Sequence, residues 1–85
     1  MAAINEDKLV YITKEGYDKM VEELKDLKDV ERKKVAARLK EAIALGDLSE
    51  NSEYQEARTE QSFLEGRILE LDEKIKNANI IKANK

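Results

Sequence analysis

Asp47 and Glu50 are the residues of this chain best placed to do chemistry. They stand three positions apart in Gly46-Asp47-Leu48-Ser49-Glu50-Asn51, with long helix-forming sequence on both sides. Two carboxylates at that spacing admit three physical readings. In the first they form a capping box, with Asp47 capping the following helix and Glu50 reaching back to the cap residue's N–H; Ser49 is a rival cap. The second is a calcium loop, because Asp47, Ser49 and Asn51 take the first, third and fifth positions of the EF-hand frame. It fails, since the sixth position is Ser52 instead of glycine and the twelfth is Arg58 where a bidentate glutamate is required. In the third, Asp47 and Glu50 serve a magnesium ion. Two carboxylates are too few to enclose it, so they would share it with phosphate and another macromolecule's ligands, completing a two-metal centre there. The neighbouring acids Glu53, Glu56 and Glu60 face only one base, Arg58, within the same stretch. Acids early in a helix are an ordinary response to its dipole, so these three read as a solvated face.

The composition says what can carry such a tip. With 85 residues, 41% of them charged and 5% aromatic, the chain makes one domain at most and cannot fill a deep globular core. A pair of long helices needs only a narrow apolar seam. The absence of proline and the presence of only three glycines favour uninterrupted helix. There is no cysteine and no histidine, which excludes disulfides, thiol nucleophiles and the usual zinc sites and leaves oxygen ligands for a hard cation such as Mg2+. A net charge of −3 argues against broad non-specific nucleic-acid binding, while leaving room for a local basic patch. The N-terminus lacks the apolar stretch of a leader, and no apolar run approaches the roughly 20 residues of a membrane span. The expected location is cytoplasmic, with no membrane partner.

The expected fold class is all-α: an antiparallel two-helix coiled-coil hairpin with an acidic tip loop. Thr13 is a good N-cap, and Tyr17, Met20, Leu24 and Leu27 follow at spacings of three and four. The pattern weakens over Val30-Glu31-Arg32-Lys33-Lys34 and resumes at Val35, Leu39, Ala42 and Leu45, which predicts one helix over about 13–45 with an irregular middle. Gly46 supplies the stop, as the residue suited to a left-handed C′ position. Residues 46–51 make the tip. A second helix is predicted over about 52–78, where Tyr54, Ala57, Gln61, Leu64, Ile68, Leu71, Ile75 and Ala78 form one unbroken stripe. Gln61 is its only polar member, able to fix register. At about 1.5 Å per residue each helix is roughly 35 to 50 Å long, and the short connection forces the two antiparallel.

At the base, the apolar run Leu9-Val10-Tyr11-Ile12 is too short for a helix; it packs on the rod or forms a short extended piece, with Ile80-Ile81 as its natural partner. Asn77 and Asn79 predict fraying of the tail. Two apolar stretches with nothing to cover them predict that the chain is part of something longer. Among the remaining charges, Arg32, Lys33, Lys34, Arg38 and Lys40 form a basic stretch that reads as a solvated helix face balanced by nearby acids or as a local patch able to meet a phosphate backbone. Leu48 is out of place, because an exposed leucine in a polar tip either folds back onto the helix ends or meets a partner.

The run from Gly46 to Arg58, followed by Glu60-Gln61-Ser62-Phe63-Leu64-Glu65-Gly66-Arg67-Ile68, resembles the signature of bacterial transcript cleavage factors of the GreA type. So do Thr13-x-x-Gly16-x-x-Lys19-Met20-x-x-Glu23-Leu24 and Asn77-Ala78. The resemblance implies an N-terminal coiled coil that enters the secondary channel of bacterial RNA polymerase. Asp47 and Glu50 would there help to hold the second Mg2+ and its attacking water, jointly with the polymerase active site. The polymerase then cleaves backtracked RNA near its 3′ end, so the factor activates the polymerase's own hydrolysis and is not itself a nuclease. The same resemblance makes Arg58, and beside it Leu48, Ser49 and Asn51, the expected contacts to RNA or polymerase. The family's C-terminal anchoring domain is absent from these 85 residues, which bears on affinity more than on chemistry. Two alternatives stand beside this reading, a channel-binding regulator or inhibitor without cleavage stimulation and a structural coiled-coil adaptor. The retention of Asp47 and Glu50 favours cleavage stimulation.

Overall fold

The computed structural model describes residues 9–82; residues 1–8, read above for the absence of a leader, lie outside the described residues. A short strand β1 (Val10–Thr13) leads into helix α1 (Lys14–Asp26), a π-helical segment (Leu27–Glu31) and helix α2 (Arg32–Ala44). The chain turns at the tip, returns along helix α3 (Ser52–Lys76) and ends in strand β2 (Ala78–Ile81). The result is a rod with extents of 56 × 27 × 20 Å. The helical hairpin is as expected. Thr13 is the N-cap of α1, its hydroxyl accepting from the Gly16 N–H at 3.1 Å. A Cβ at Gly16 would lie 2.8 Å from Ile12 Cγ1, so glycine is what lets β1 cross over the first turn of α1.

The irregular middle of the first helical run has a definite cause. Leu24 and Leu27 belong to the seam and so does Val35, but eight residues separate Leu27 from Val35 where a heptad allows seven. The π-helical segment absorbs the extra residue: the Arg32 N–H donates to the Leu27 carbonyl five positions back. The seam therefore resumes one residue late and still faces α3, with Val35 and Ala42 buried. Removing Asp29 would restore the seven-residue spacing, so the shortened chain is expected to keep its helix content and to melt no lower than its parent. Removing Lys40, where no extra residue is stored, moves Ala42 off the seam and should lower the melting temperature. Equal damage from the two deletions, followed by circular dichroism, would refute this account.

The core is a narrow stripe, with Val35, Ala42, Ala57, Ile68 and Leu71 each at most 5% exposed. Small side chains at Ala42 and Ala57, one on each helix next to the tip, allow close helix approach there. Ion pairs flank the stripe. Arg32 grips Glu65 with two hydrogen bonds of 2.8 and 2.6 Å, Arg38 pairs with Glu60, and Arg67 reaches Glu23 at 2.9 Å. Each is solvent-exposed and adds little to stability by itself. Together they oppose sliding of one helix along the other, since any shift places charges against the wrong partners. They also take two members of the basic stretch, Arg32 and Arg38, into the hairpin itself, and Lys34 lies 3.4 Å from Glu31.

The Arg32 hydrogen bond holds the Glu65 carboxyl below its ordinary value of 4.5, and Lys74, aided by Arg67, does the same for Glu70. A carboxylate lowered in the folded state adds stability that is complete above its unfolded pKa and is lost as pH falls through the folded one. The hairpin is thus expected to weaken progressively as the pH drops below 4.5, in the range where these groups protonate. Glu65→Gln should flatten part of that slope in an acid titration followed by circular dichroism. An unchanged slope would mean that the pair contributes nothing.

At the base, β1 and β2 form a two-stranded parallel sheet in the register Val10↔Ala78 to Thr13↔Ile81. Parallel neighbours need a long crossover, and here the whole helical hairpin supplies it. Of the Leu9-to-Ile12 run, Val10 to Ile12 take the extended form, with Ile12 opposite Ile80, and a small sheet is added to the helical rod. Two expectations are corrected. Ala78 belongs to β2 and not to the second helix, which ends at Lys76. The tail does not fray at Asn77, because that residue caps α3: its side-chain amide donates to the Glu73 carbonyl at 3.0 Å, while its own carbonyl accepts from the Val10 N–H at 2.9 Å.

Candidate functional site

The tip is built from the ends of α2 and α3. Helix α2 ends at Ala44 with Leu45 as its C-cap, and Gly46 follows at φ +86°, the left-handed conformation expected of it. Asp47 also has positive φ, +22°, which aspartate tolerates better than most residues because its short polar side chain bonds locally. Here it does so, accepting the Ser49 hydroxyl at Oδ1 over 2.9 Å. The backbone then closes a turn, the Glu50 N–H donating to the Asp47 carbonyl at 3.2 Å. Asp47 and Glu50 are thus the first and fourth residues of one turn, which places their Cα atoms within about 7 Å of each other. Both are exposed, and neither carboxylate has an ion-pair partner among the described residues.

The capping box does not form, and neither Asp47 nor Ser49 is the cap. The N-cap of α3 is Asn51, whose Oδ1 accepts from the Tyr54 N–H at 3.0 Å. The same amide donates from Nδ2 to the Ala42 carbonyl at 2.6 Å and to the Gly46 carbonyl at 3.1 Å. Gln55, one turn into α3, donates to the Leu48 carbonyl at 3.2 Å. Sequence reasoning missed both roles. The signal for Asn51 was available: asparagine ranks with aspartate and serine at N-caps, and the apolar stripe begins three residues later at Tyr54. No local pattern marks Gln55, because its partner is a loop carbonyl.

The other expected contact residues are distributed as follows. Asn51 is half-buried with its side-chain amide engaged within the tip, whereas Ser49 is exposed. Leu48 is 41% exposed, and nearby Ile43 and Leu45 are 53% and 70% exposed, so Leu48 does not fold back into a core. Arg58 is exposed next to the buried Ala57, and its guanidinium makes no hydrogen bond or ion pair with another described residue. Among the described residues there is no group of three or more acidic or other ligating side chains able to hold a metal. The donors Asp47 and Glu50 suit a hard cation, but they could fill only part of an octahedral shell, and the rest must come from elsewhere.

A rigid helical hairpin with two unpaired carboxylates on a hydrogen-bonded tip defines a class of rod-like modules that present charge at a distance from their base. The particular family follows from sequence comparison: the chain belongs to the transcription elongation factor family, whose N-terminal domain matches residues 10–80. It is 52% identical over 82 residues to transcription elongation factor GreA of Clostridioides difficile, covering 96% of this chain and 52% of that protein. To the GreA proteins of Syntrophomonas wolfei and Acetivibrio thermocellus it is 51% identical, over 89% and 88% of this chain and 48% and 47% of theirs. The chain thus spans about half the length of the curated relatives it matches. Among the described residues no helix is long and apolar enough to cross a membrane.

Proposed function

We propose that this chain is the channel-entering module of a cytoplasmic transcription elongation factor that stimulates RNA cleavage by bacterial RNA polymerase. The rod enters the secondary channel, and its tip meets the 3′ end of backtracked RNA at the polymerase active site. The observation that carries this reading is the tip itself: two carboxylates of one turn, free of ion pairs, on the end of a 56 Å rod. Asp47 and Glu50 hold a second Mg2+ jointly with the polymerase. That ion would supply an activated water and stabilise charge on the attacking and leaving oxygens. Asp47 is aimed by the Ser49 hydroxyl, and Glu50 by the turn that ties its N–H to Asp47. Arg58, an unpaired cation two turns into α3, contacts an RNA phosphate or an acidic surface of the channel. Leu48 supplies an apolar contact at the tip.

In this reading the chain is an accessory factor, not an enzyme. Among its described residues no group of three or more ligating side chains could hold a metal, and its part is to deliver ligands. Stimulation by the Asp47→Asn chain of RNA cleavage in backtracked polymerase complexes is the test. A folded variant that still stimulates cleavage would leave only a non-cleaving channel regulator or a structural adaptor.

A further inference from the structure

The five residues from Gly46 to Glu50 are all exposed, and the apolar side chains among and beside them are not buried: Leu48 is 41% and Leu45 70% exposed. A loop without apolar anchors belongs to the least stable part of a fold unless hydrogen bonds hold it. Here one side chain ties the loop to both helices. The Asn51 amide accepts from the Tyr54 N–H and donates to the carbonyls of Ala42 and Gly46, so it touches the start of α3, the end of α2 and the loop at once. Gly46 immediately precedes Asp47, and Asn51 immediately follows Glu50. The turn carrying both carboxylates is therefore closed twice, inside by Glu50 N–H to Asp47 O and outside by Asn51 Nδ2 to Gly46 O. Only a planar amide combines one acceptor with two donors in this way; aspartate and serine can cap α3 but cannot serve both carbonyls.

Resting on the cleavage reading above, we propose that Asn51 is a positioning residue, which fixes Asp47 and Glu50 in the geometry needed to share a metal by stapling their turn to the end of α2. It touches neither metal nor RNA. Its side chain acts on the carboxylates through the backbone, and the tie from Gln55 to Leu48 steadies the middle of the same turn. Ligands delivered into another protein's active site must arrive already ordered, since misplacement of about 1 Å is enough to lose most of the rate.

The experiment compares Asn51→Ser, which keeps a cap acceptor but replaces the two amide donors with a single shorter hydroxyl, with Asn51→Asp, which keeps the cap and sets a charge against the two carbonyls. Both variants should retain helix content and the parental melting transition, because α3 remains capped. Amide hydrogen exchange at Glu50 should accelerate in both, reporting loss of the turn. In cleavage assays with backtracked complexes, the rate at saturating chain should fall about 10- to 100-fold while the half-saturating concentration moves by less than about threefold. A purely structural role would instead raise the half-saturating concentration and leave the plateau unchanged. That outcome, a full plateau rate, or parental exchange at Glu50 would each overturn the proposal. Asp47→Asn measured in parallel separates the two readings. If it cleaves normally, the cleavage function is wrong and the exchange data alone decide the staple; if it is inactive while Asn51→Ser is fully active, only the positioning role fails.

Discussion

Asp47→Asn is expected to leave the hairpin intact and to reduce stimulated RNA cleavage by about 100-fold or more, the scale associated with removing one preorganised charge-stabilising group from a reacting centre. Three features make the substitution selective. Asparagine tolerates the positive φ of Asp47 at least as well as aspartate does, so the turn is not strained. Its side-chain oxygen can still accept the Ser49 hydroxyl, which preserves the local hydrogen bond. Helix capping is untouched, because Asn51 and not Asp47 caps α3. Stability should consequently change by less than about 0.5 kcal/mol, as for other surface substitutions. What is lost is one negative charge at an exposed position and, on the proposed reading, one ligand for the shared magnesium ion. The measurement is the cleavage rate of backtracked complexes at saturating chain, alongside thermal melts that confirm folding. A well-folded variant with parental activity would remove the metal-sharing role from Asp47, and with it the central claim.

The second large effect concerns stability. Leu71→Ala should cost about 2–5 kcal/mol, whereas Phe63→Ala, which deletes a larger side chain, should cost less than about 0.5 kcal/mol. Leu71 is 2% exposed in the seam and Phe63 is 76% exposed on the outer face of the same helix. The seam is one side chain deep on each helix, so a cavity at Leu71 lies in a core with little else to collapse into it. A chain of this size has a total stability of only about 5–15 kcal/mol, so Leu71→Ala removes a substantial part of it. Denaturant titration of both variants checks the contrast. Comparable losses would show that Phe63 is packed in solution and that the seam described here is incomplete.

Much of the rod could be read locally. The three-four alternation from Tyr54 to Ile75 marks the buried side of α3, and of its members Ala57, Ile68 and Leu71 are the most deeply buried. Thr13 and Gly46 act where they were expected, one as cap and one as stop, because both functions depend on a residue's own hydrogen-bonding and steric properties. The gap after Leu27 was visible as a weakened pattern, but its meaning as one stored residue required the hydrogen bond from Arg32 to Leu27. The basic stretch looked like a candidate surface for RNA, and two of its arginines turned out to hold glutamates on the opposite helix. Those pairings lie 22 and 33 residues apart in the chain, and no local pattern reports them.

The sequence by itself determined the hairpin, the position of its tip and the two acids placed there, because helix periodicity, helix stops and side-chain charge are properties of neighbouring residues. Only the tertiary structure decided what holds the tip. Which carbonyls the end of α2 leaves within reach of Asn51 and Gln55 depends on how far α3 has slid along it, and that alignment is set by the packed seam and by ion pairs between residues distant in the chain. With Asn51 as the cap of α3, Asp47 and Glu50 are exposed and have no ion-pair partner among the described residues.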